Sequence, residues 1–203
     1  MKNAIFYKFI SFKYVPVFII FTGLILRIFQ FVSNRSLWLD EAKLALNIVN
    51  LPFYKLNEPL SYGQAAPIGF LYIEKLLAEM FGNYDYILRL FPLIAGCISV
   101  FIVYSLSKKI LSGLGPLIIT AFFTVSDRLI YFSSEVKQYS SDVFITLILL
   151  LTFGQTIEES SKKRFIVLGI TGAIVLWFSY SALFVLSAAG LALLIFFIFE
   201  KRY

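Results

Sequence analysis

Ala66-Pro67-Ile68-Gly69-Phe70-Leu71-Tyr72-Ile73-Glu74-Lys75-Leu76-Leu77-Ala78-Glu79-Met80-Phe81 is the stretch on which the topology turns. It is apolar but short, and it carries Glu74, Lys75 and Glu79. A charge at the centre of a membrane helix costs ~2.5–3.5 kcal/mol even on the lenient insertion scale. Three charges in so short a run argue against crossing. Ile68, Leu71, Tyr72, Leu76 and Met80 instead recur at helical spacing, which predicts an amphipathic helix lying in the membrane interface.

The rest of the chain makes a membrane the natural setting. Of 203 residues, 60% are hydrophobic and only 15% charged, with a mean hydropathy of +0.85. Soluble domains sit near 45–50% apolar and about 25% charged, so a soluble enzyme is excluded. Runs long enough to cross, or nearly so, lie at Tyr14–Ser33, Ile87–Ser107, Ile110–Ser126 and Asp142–Ile157. Phe165–Phe199 is too long for one span and reads as a hairpin turning near Ser179-Tyr180-Ser181. The expectation is an all-α polytopic bundle of about six transmembrane helices, with the amphipathic helix in its first extracytoplasmic loop. No cleavable signal peptide, fixed-period repeat or flexible linker is evident, so residues 1–203 read as a single membrane domain.

Charge parity supports that count. With six spans, Lys2, Lys8, Lys13, Lys108, Lys109, Lys162, Lys163, Arg164, Lys201 and Arg202 all fall on one side. If Ala66–Phe81 crossed, every later cluster would move to the side opposite the N-terminus. The positive-inside rule therefore predicts cytoplasmic termini. The same rule accounts for the net charge of +6 without a nucleic-acid partner. Histidine is absent, which removes imidazole acid–base chemistry and His metal ligands. The single cysteine, Cys97, lies in an apolar run and reads as a small hydrophobe.

Two polar segments then face outward. The first runs from Asn34 to about Leu88, far longer than a helix–helix connection requires. Trp38, Leu39, Leu44, Leu46, Phe53 and Tyr54 would hold it against the membrane. It opens with Leu37-Trp38-Leu39-Asp40-Glu41-Ala42-Lys43. One of these adjacent carboxylates could take a proton from an attacking hydroxyl while nearby cations hold a phosphate; a bare Asp-Glu pair more commonly marks a helix N-terminus, where acids complement the dipole. The second segment, Asp127–Asp142, would place Glu135, Tyr139 and Asp142 on one face if it is helical. Arg89 opens the second long run and could bind phosphate bidentately or snorkel to headgroups. Arg27, deeper in the first run, is an intramembrane functional candidate that helix pairing or snorkelling toward one face would explain at least as well.

The order of these pieces is informative. Leu39-Asp40-Glu41-Ala42-Lys43 follows the first span, and Ala66-Pro67-Ile68-Gly69-Phe70-Leu71 leads to Met80-Phe81-Gly82. Leu88-Arg89-Leu90-Phe91-Pro92 comes next, with a span closing at Lys108-Lys109, and finally Tyr131-Phe132 and Glu135-Val136-Lys137-Gln138-Tyr139-Ser140-Ser141-Asp142. Over roughly Ile28 to Ile145 the chain resembles the C-type integral-membrane glycosyltransferases, more narrowly the protein O-mannosyltransferase and aminoarabinose-transferase-like superfamily.

That resemblance implies transfer of a sugar from a polyprenyl-phosphate carrier to an acceptor on the extracytoplasmic face. It implies Asp40 as catalytic base and Glu41 as the second acid of the motif. Lys43 would lie near the donor phosphate, Arg89 matches the arginine opening the next span, and Asp142 matches a second cavity acid. Glu135, Lys137 and Tyr139 belong to the same family segment and join the substrate- and phosphate-binding set. Aminoarabinose transferases have a lysine where this chain has Ala66, so that sugar is not implied. A divalent cation could help neutralise the phosphate through hard oxygen ligands, although nothing in the sequence requires one. The acceptor is left open between a glycolipid, a polysaccharide and a protein, and the membrane expected is a bacterial inner membrane. Members of the superfamily usually have more spans, so the chain is expected to be the N-terminal part of such a fold, truncated or dependent on a partner subunit. The alternatives are a transporter or flippase for a lipid-linked sugar, which should put polar sites near the bilayer midplane, and a non-catalytic assembly subunit.

Overall fold

The structure is a computed structural model that describes residues 14–200; the flanking Lys2, Lys8, Lys13, Lys201 and Arg202 lie outside the described residues. These residues form helices without strands. In chain order the helices are α1 (Val15–Val32), α2 (Leu39–Asn50), α3 (Ile68–Phe81), α4 (Asp85–Leu88), α5 (Leu90–Ile110), α6 (Gly115–Val125), α7 (Asp127–Phe132), α8 (Tyr139–Glu158), α9 (Lys162–Val175) and α10 (Ala182–Glu200). Two short 3₁₀ turns, Phe53–Lys55 and Ser61–Gly63, lie between α2 and α3. Local chemistry sets several of these boundaries. Prolines in the first turns of α1 and α6 occupy positions whose N–H would have no partner. Asp40 and Glu41 sit in the first turn of α2, where acids complement the helix dipole. Gly82 ends α3 at φ 98°, a conformation that side-chain-bearing residues resist.

Among the described residues four helices are long and apolar enough to cross a membrane: α1, α5, α8 and the Ala182–Phe199 stretch of α10. Where about six spans were expected, four helices have the length and hydropathy of a span, and shorter helices return the chain between them. The two that fall short are α6, with 11 residues, and α9, with 14. At 1.5 Å per residue they reach only about 16 and 21 Å against a ~30 Å hydrocarbon core. The cause for α6 is a break at Ser126, whose backbone is extended (φ −62°, ψ 115°), so that α7 starts as a separate helix. The cause for α9 is that the chain turns at Leu176–Ser181, where the hairpin turn was expected. Helix α3 forms where periodicity placed it and is not one of the candidate spans.

Side-chain ties order the bundle. Ser140 Oγ donates to Pro92 O at 2.9 Å, joining the start of α8 to the start of α5. Lys109 Nζ meets Glu158 Oε2 at 2.6 Å, joining their ends. The two helices therefore run parallel, with α6 and α7 as the return between them. Helix α9 repeats the pattern after α8, leaving beside Thr156, whose hydroxyl donates to Arg164 O at 3.4 Å. Its far end docks on the first loop, where Gly69 N–H donates to Trp177 O at 2.7 Å and the Tyr180 hydroxyl to Ala66 O at 3.0 Å. Lys108, Lys109 and Lys162–Arg164 thus gather at one end of the bundle, and the two long polar segments at the other.

Arg27 is helix pairing rather than snorkelling: it is 1% exposed. Its Nη1 donates to Gly23 O at 3.1 Å and to Thr124 O at 3.3 Å, and Nη2 reaches Phe123 O at 3.5 Å. Carbonyls in the last turn of a helix have no intrahelical partner, and the break at Ser126 leaves those of α6 in need of a donor. Small residues make the close approach possible. A Cβ on Gly96 would stand 2.7 Å from Ser133 Cβ and 3.0 Å from Ser140 Oγ. Elsewhere α1 and α10 present large apolar side chains outward, among them Phe18, Phe21, Phe29, Phe184 and Leu191. Such surfaces suit lipid and not water.

Gly96→Ala is expected to cost about 1–3 kcal/mol through overpacking, read as a lower apparent melting temperature in detergent; an unchanged value would mean that the α5–α8 contact is loose. In a Cys97→Ser background, cysteines at Lys108 and Lys163 should react with an impermeant maleimide from one side of the membrane and a cysteine at Asn57 from the other. Labelling of Lys108 and Lys163 from opposite sides would break the parallel arrangement of α5 and α8.

Candidate active site

The two long polar segments are joined by one buried carboxylate. Glu41, in the first turn of α2, is 0% exposed. Its Oε2 accepts from Arg35 Nη1 at 2.7 Å and from the Trp38 N–H at 3.0 Å. Its Oε1 accepts from the Val136 N–H at 2.9 Å and stands 3.6 Å from Arg89 Nη2. One side chain thus ties the helix N-terminus, the segment before it, the start of α5 and the second loop. Arg89, 1% exposed, adds a bond from Nη1 to Arg35 O at 2.8 Å. Arg35 lies over the Tyr131 ring at 4.3 Å. Two guanidiniums share one carboxylate, and Arg35 Nε and Nη2 and Arg89 Nε and Nη2 have no hydrogen-bond partner. The cluster therefore carries surplus positive charge and unused donors.

Asp40 points away from this cluster. It is exposed, while Glu41 shares the buried face of α2 with Leu44, Ala45 and Ile48. Asp40 lies close enough to the Tyr139 phenol to interact with it electrostatically, as do Glu135 and Asp142. Asp142 is half-buried, and its Oδ1 has no partner. Tyr139 and Asp142 line an apolar cavity of about 380 Å³ with Phe132, Val143, Thr146 and Leu147, running along α8. Lys137 is buried, its Nζ donating to Gln64 Oε1 at 2.7 Å, so the second loop holds the first at a further point. Lys43 is half-buried on α2.

One expectation needs correcting. Glu135 does not share a helix face with Tyr139 and Asp142, because α8 starts only at Tyr139. Ser133 and Ser134 turn their hydroxyls to Ile130 O and Tyr131 O, at 2.6 and 3.2 Å. Short hydroxyl side chains that bond nearby backbone in this way compete with helix formation. Glu135 is nonetheless brought near the same acids by the turn. Burial raises its carboxyl above the usual range, Glu41 adds to the rise, and Arg35 and Lys137 oppose it. Among the described residues no group of three His, Cys, Asp or Glu side chains is placed to hold a metal ion.

Sequence reasoning passed over Arg35, Gln64 and Glu74. Arg35 had a signal: a cation beside the Trp38-Leu39-Asp40-Glu41 motif, with no acid of its own. Glu74 is 0% exposed on α3, beside an apolar cluster that includes Phe70, Leu71 and Ala78. Neither of its oxygens has a partner, and burial pushes its carboxyl well above the ordinary range.

The chain matches the Dolichyl-phosphate-mannose-protein mannosyltransferase family over residues 65–203. It belongs to that family. The matched region contains Arg89, Glu135, Lys137, Tyr139 and Asp142, whereas Asp40, Glu41 and Lys43 precede it. No curated protein and no solved structure matches the chain. Membership makes it a membrane glycosyltransferase of the mannosyltransferase-like kind, and the apolar helices agree with an integral membrane protein.

Glu41→Ala is expected to cost about 3–5 kcal/mol by leaving guanidiniums unpaired, visible as loss of folded protein in size-exclusion chromatography, with Glu41→Gln intermediate. Glu74 should act in the opposite sense. Its folded pKa is raised, so the folded state binds the extra proton and stability falls as pH rises above the unfolded value near ~4.3. Glu74→Met should therefore exceed wild type in melting temperature by a margin that grows upward from about pH 5. A margin independent of pH would show that Glu74 does not titrate in this way.

Proposed function

We propose that this protein transfers a sugar from a polyprenyl-phosphate carrier to an acceptor hydroxyl at the extracytoplasmic membrane surface. The observation that carries the reading is the division of labour within Asp40-Glu41: a buried Glu41 engaged by Arg35, Arg89 and Val136, and an exposed Asp40 beside it. Glu41 then acts as a positioning residue, and Asp40 is the base. The acceptor oxygen attacks the anomeric carbon in line, and its proton passes to Asp40. The bond from that carbon to the phosphate oxygen breaks, and polyprenyl phosphate leaves with the electron pair. Arg35 and Arg89, whose guanidiniums keep unused donors, with Lys137 and Lys43 nearby in the same segments, stabilise the departing phosphate. The carrier's hydrocarbon lies in the apolar cavity along α8 that opens beside Tyr139 and Asp142. Asp142 and Tyr139 orient the sugar.

Family membership supports the donor class, since the family is named for transfer from dolichyl-phosphate mannose. The gathering of basic clusters at the opposite end of the bundle supports an extracytoplasmic site and cytoplasmic termini, in a bacterial inner membrane. The position of the acids speaks against the transporter reading, because they cluster at one end of the bundle and not midway along the spans.

Asp40→Asn should lower transfer from a polyprenyl-phosphate-linked sugar by ~10²–10⁴-fold, the usual worth of a general base, while the protein elutes as wild type. Retention of most activity would remove Asp40 from the reaction. Vesicle flux of the carrier with no glycosylated product would favour the transporter instead.

A further inference from the structure

A second cavity lies beside the first loop. It measures about 530 Å³ and sits between the first outer loop and the turn that joins α9 to α10. Asn57, Glu58, Gln64, Ile68, Trp177 and Tyr180 are among its lining residues. Trp177 and Tyr180 are 62% and 59% exposed, yet the turn carrying them is firmly held. Gly69 N–H donates to Trp177 O at 2.7 Å, the Tyr180 hydroxyl donates to Ala66 O at 3.0 Å, and a Cβ on Gly69 would stand 2.7 Å from the Phe178 ring. These contacts hold the backbone of the turn, which presents Trp177 and Tyr180 to a cavity that also carries Asn57, Glu58 and Gln64.

We propose that this cavity is the acceptor subsite and that the acceptor it takes is the neutral end of a glycan. The inference rests on the glycosyltransferase reading above and names the acceptor class that reading leaves open. Pyranose rings offer apolar C–H faces and outward hydroxyls. Flat aromatic side chains match the first, and planar amides with a carboxylate match the second. Among the described residues Glu58 is the one charged side chain lining the cavity, so a phosphorylated or acidic acceptor would meet an anion there and not a cation among them. The wall of the cavity is tied to residues of the site by side-chain contacts. Gln64, on its wall, accepts from Lys137. The same turn gives Ser181 to the Asp142 cavity, with Ser179 Oγ 2.8 Å from Ser181 Oγ. A glycan seated against Trp177 would thus have its terminal hydroxyl near the Asp142 side of the site.

Trp38→Phe leaves Trp177 as the only tryptophan, so its fluorescence reports on this cavity alone. The probes are neutral disaccharides in detergent, a neutral glycolipid in nanodiscs and a Ser/Thr-rich peptide. A saturable emission change with a disaccharide or the glycolipid is expected, weakened about tenfold by Asn57→Ala with Glu58→Ala, each removing a hydrogen-bonding partner. A response to both sugars points to soluble or surface glycans as the source, and a response to the glycolipid alone points to a lipid-linked acceptor. No saturable change with either sugar, or an equal change with the peptide, overturns the proposal. Asp40→Asn separates this from the reading beneath it, since it should keep the fluorescence response while losing transfer. Sugar binding without any transfer by wild type would sink the glycosyltransferase reading and leave the sugar site standing. Transfer to the peptide without a sugar response would do the reverse.

Discussion

The outer half of this molecule depends on the buried carboxylate of Glu41. Taking a carboxylate out of water is costly, by several kcal/mol even after relaxation. Here that cost is offset by two backbone N–H donors and two arginines. The Val136 N–H belongs to a segment 95 residues away in sequence, so the bond closes a large loop and joins regions that no local preference would bring together. Arg89, itself buried at the start of α5, needs Glu41 as much as Glu41 needs it. The loops that carry Asp40, Glu135 and Lys137 are therefore positioned by electrostatics as well as by apolar packing around Leu44, Ile48 and Phe70.

The bundle beneath obeys a different constraint. Lipid accepts apolar side chains but leaves backbone polar groups unsatisfied, so a helix that breaks within the bundle must find partners for its last carbonyls. Arg27 supplies them for α6. The break at Ser126 in turn lets α7 and the second loop fold back over the end of α1 and α5. An arginine deep in the first span is thus tied to the placement of the site above it.

The general architecture could be read from the sequence, because hydropathy and charge parity respond to the membrane itself. The helix Ile68–Phe81, the hairpin turn near Ser179–Ser181 and the family were all legible. The span count was not, because hydropathy measures how long a run is apolar and does not see where the backbone stops being helical, as at Ser126. Within the site, the two acids of Asp40-Glu41 were visible but their difference was not drawn. It was there to be found: Glu41, Leu44, Ala45 and Ile48 recur at one helical face, and Asp40 falls outside it. The shared face expected for Glu135, Tyr139 and Asp142 failed because serine hydroxyls at 133 and 134 break the helix before it reaches Glu135. Glu74 could not be read as buried from α3 alone, since its burial comes from elements packed against it.

The measurement that tests the central claim most directly is the distance between the two outer loops with and without Glu41. Spin labels at Asn57 and Arg128, both exposed, would be placed in a Cys97→Ser background and read by double electron–electron resonance in nanodiscs. One narrow distance distribution is predicted for the protein with Glu41, broadening into several or one wide distribution in Glu41→Ala. A narrow distribution at the same distance in Glu41→Ala would contradict the account, because the loops would then be held together without the carboxylate on which their arrangement is argued to depend.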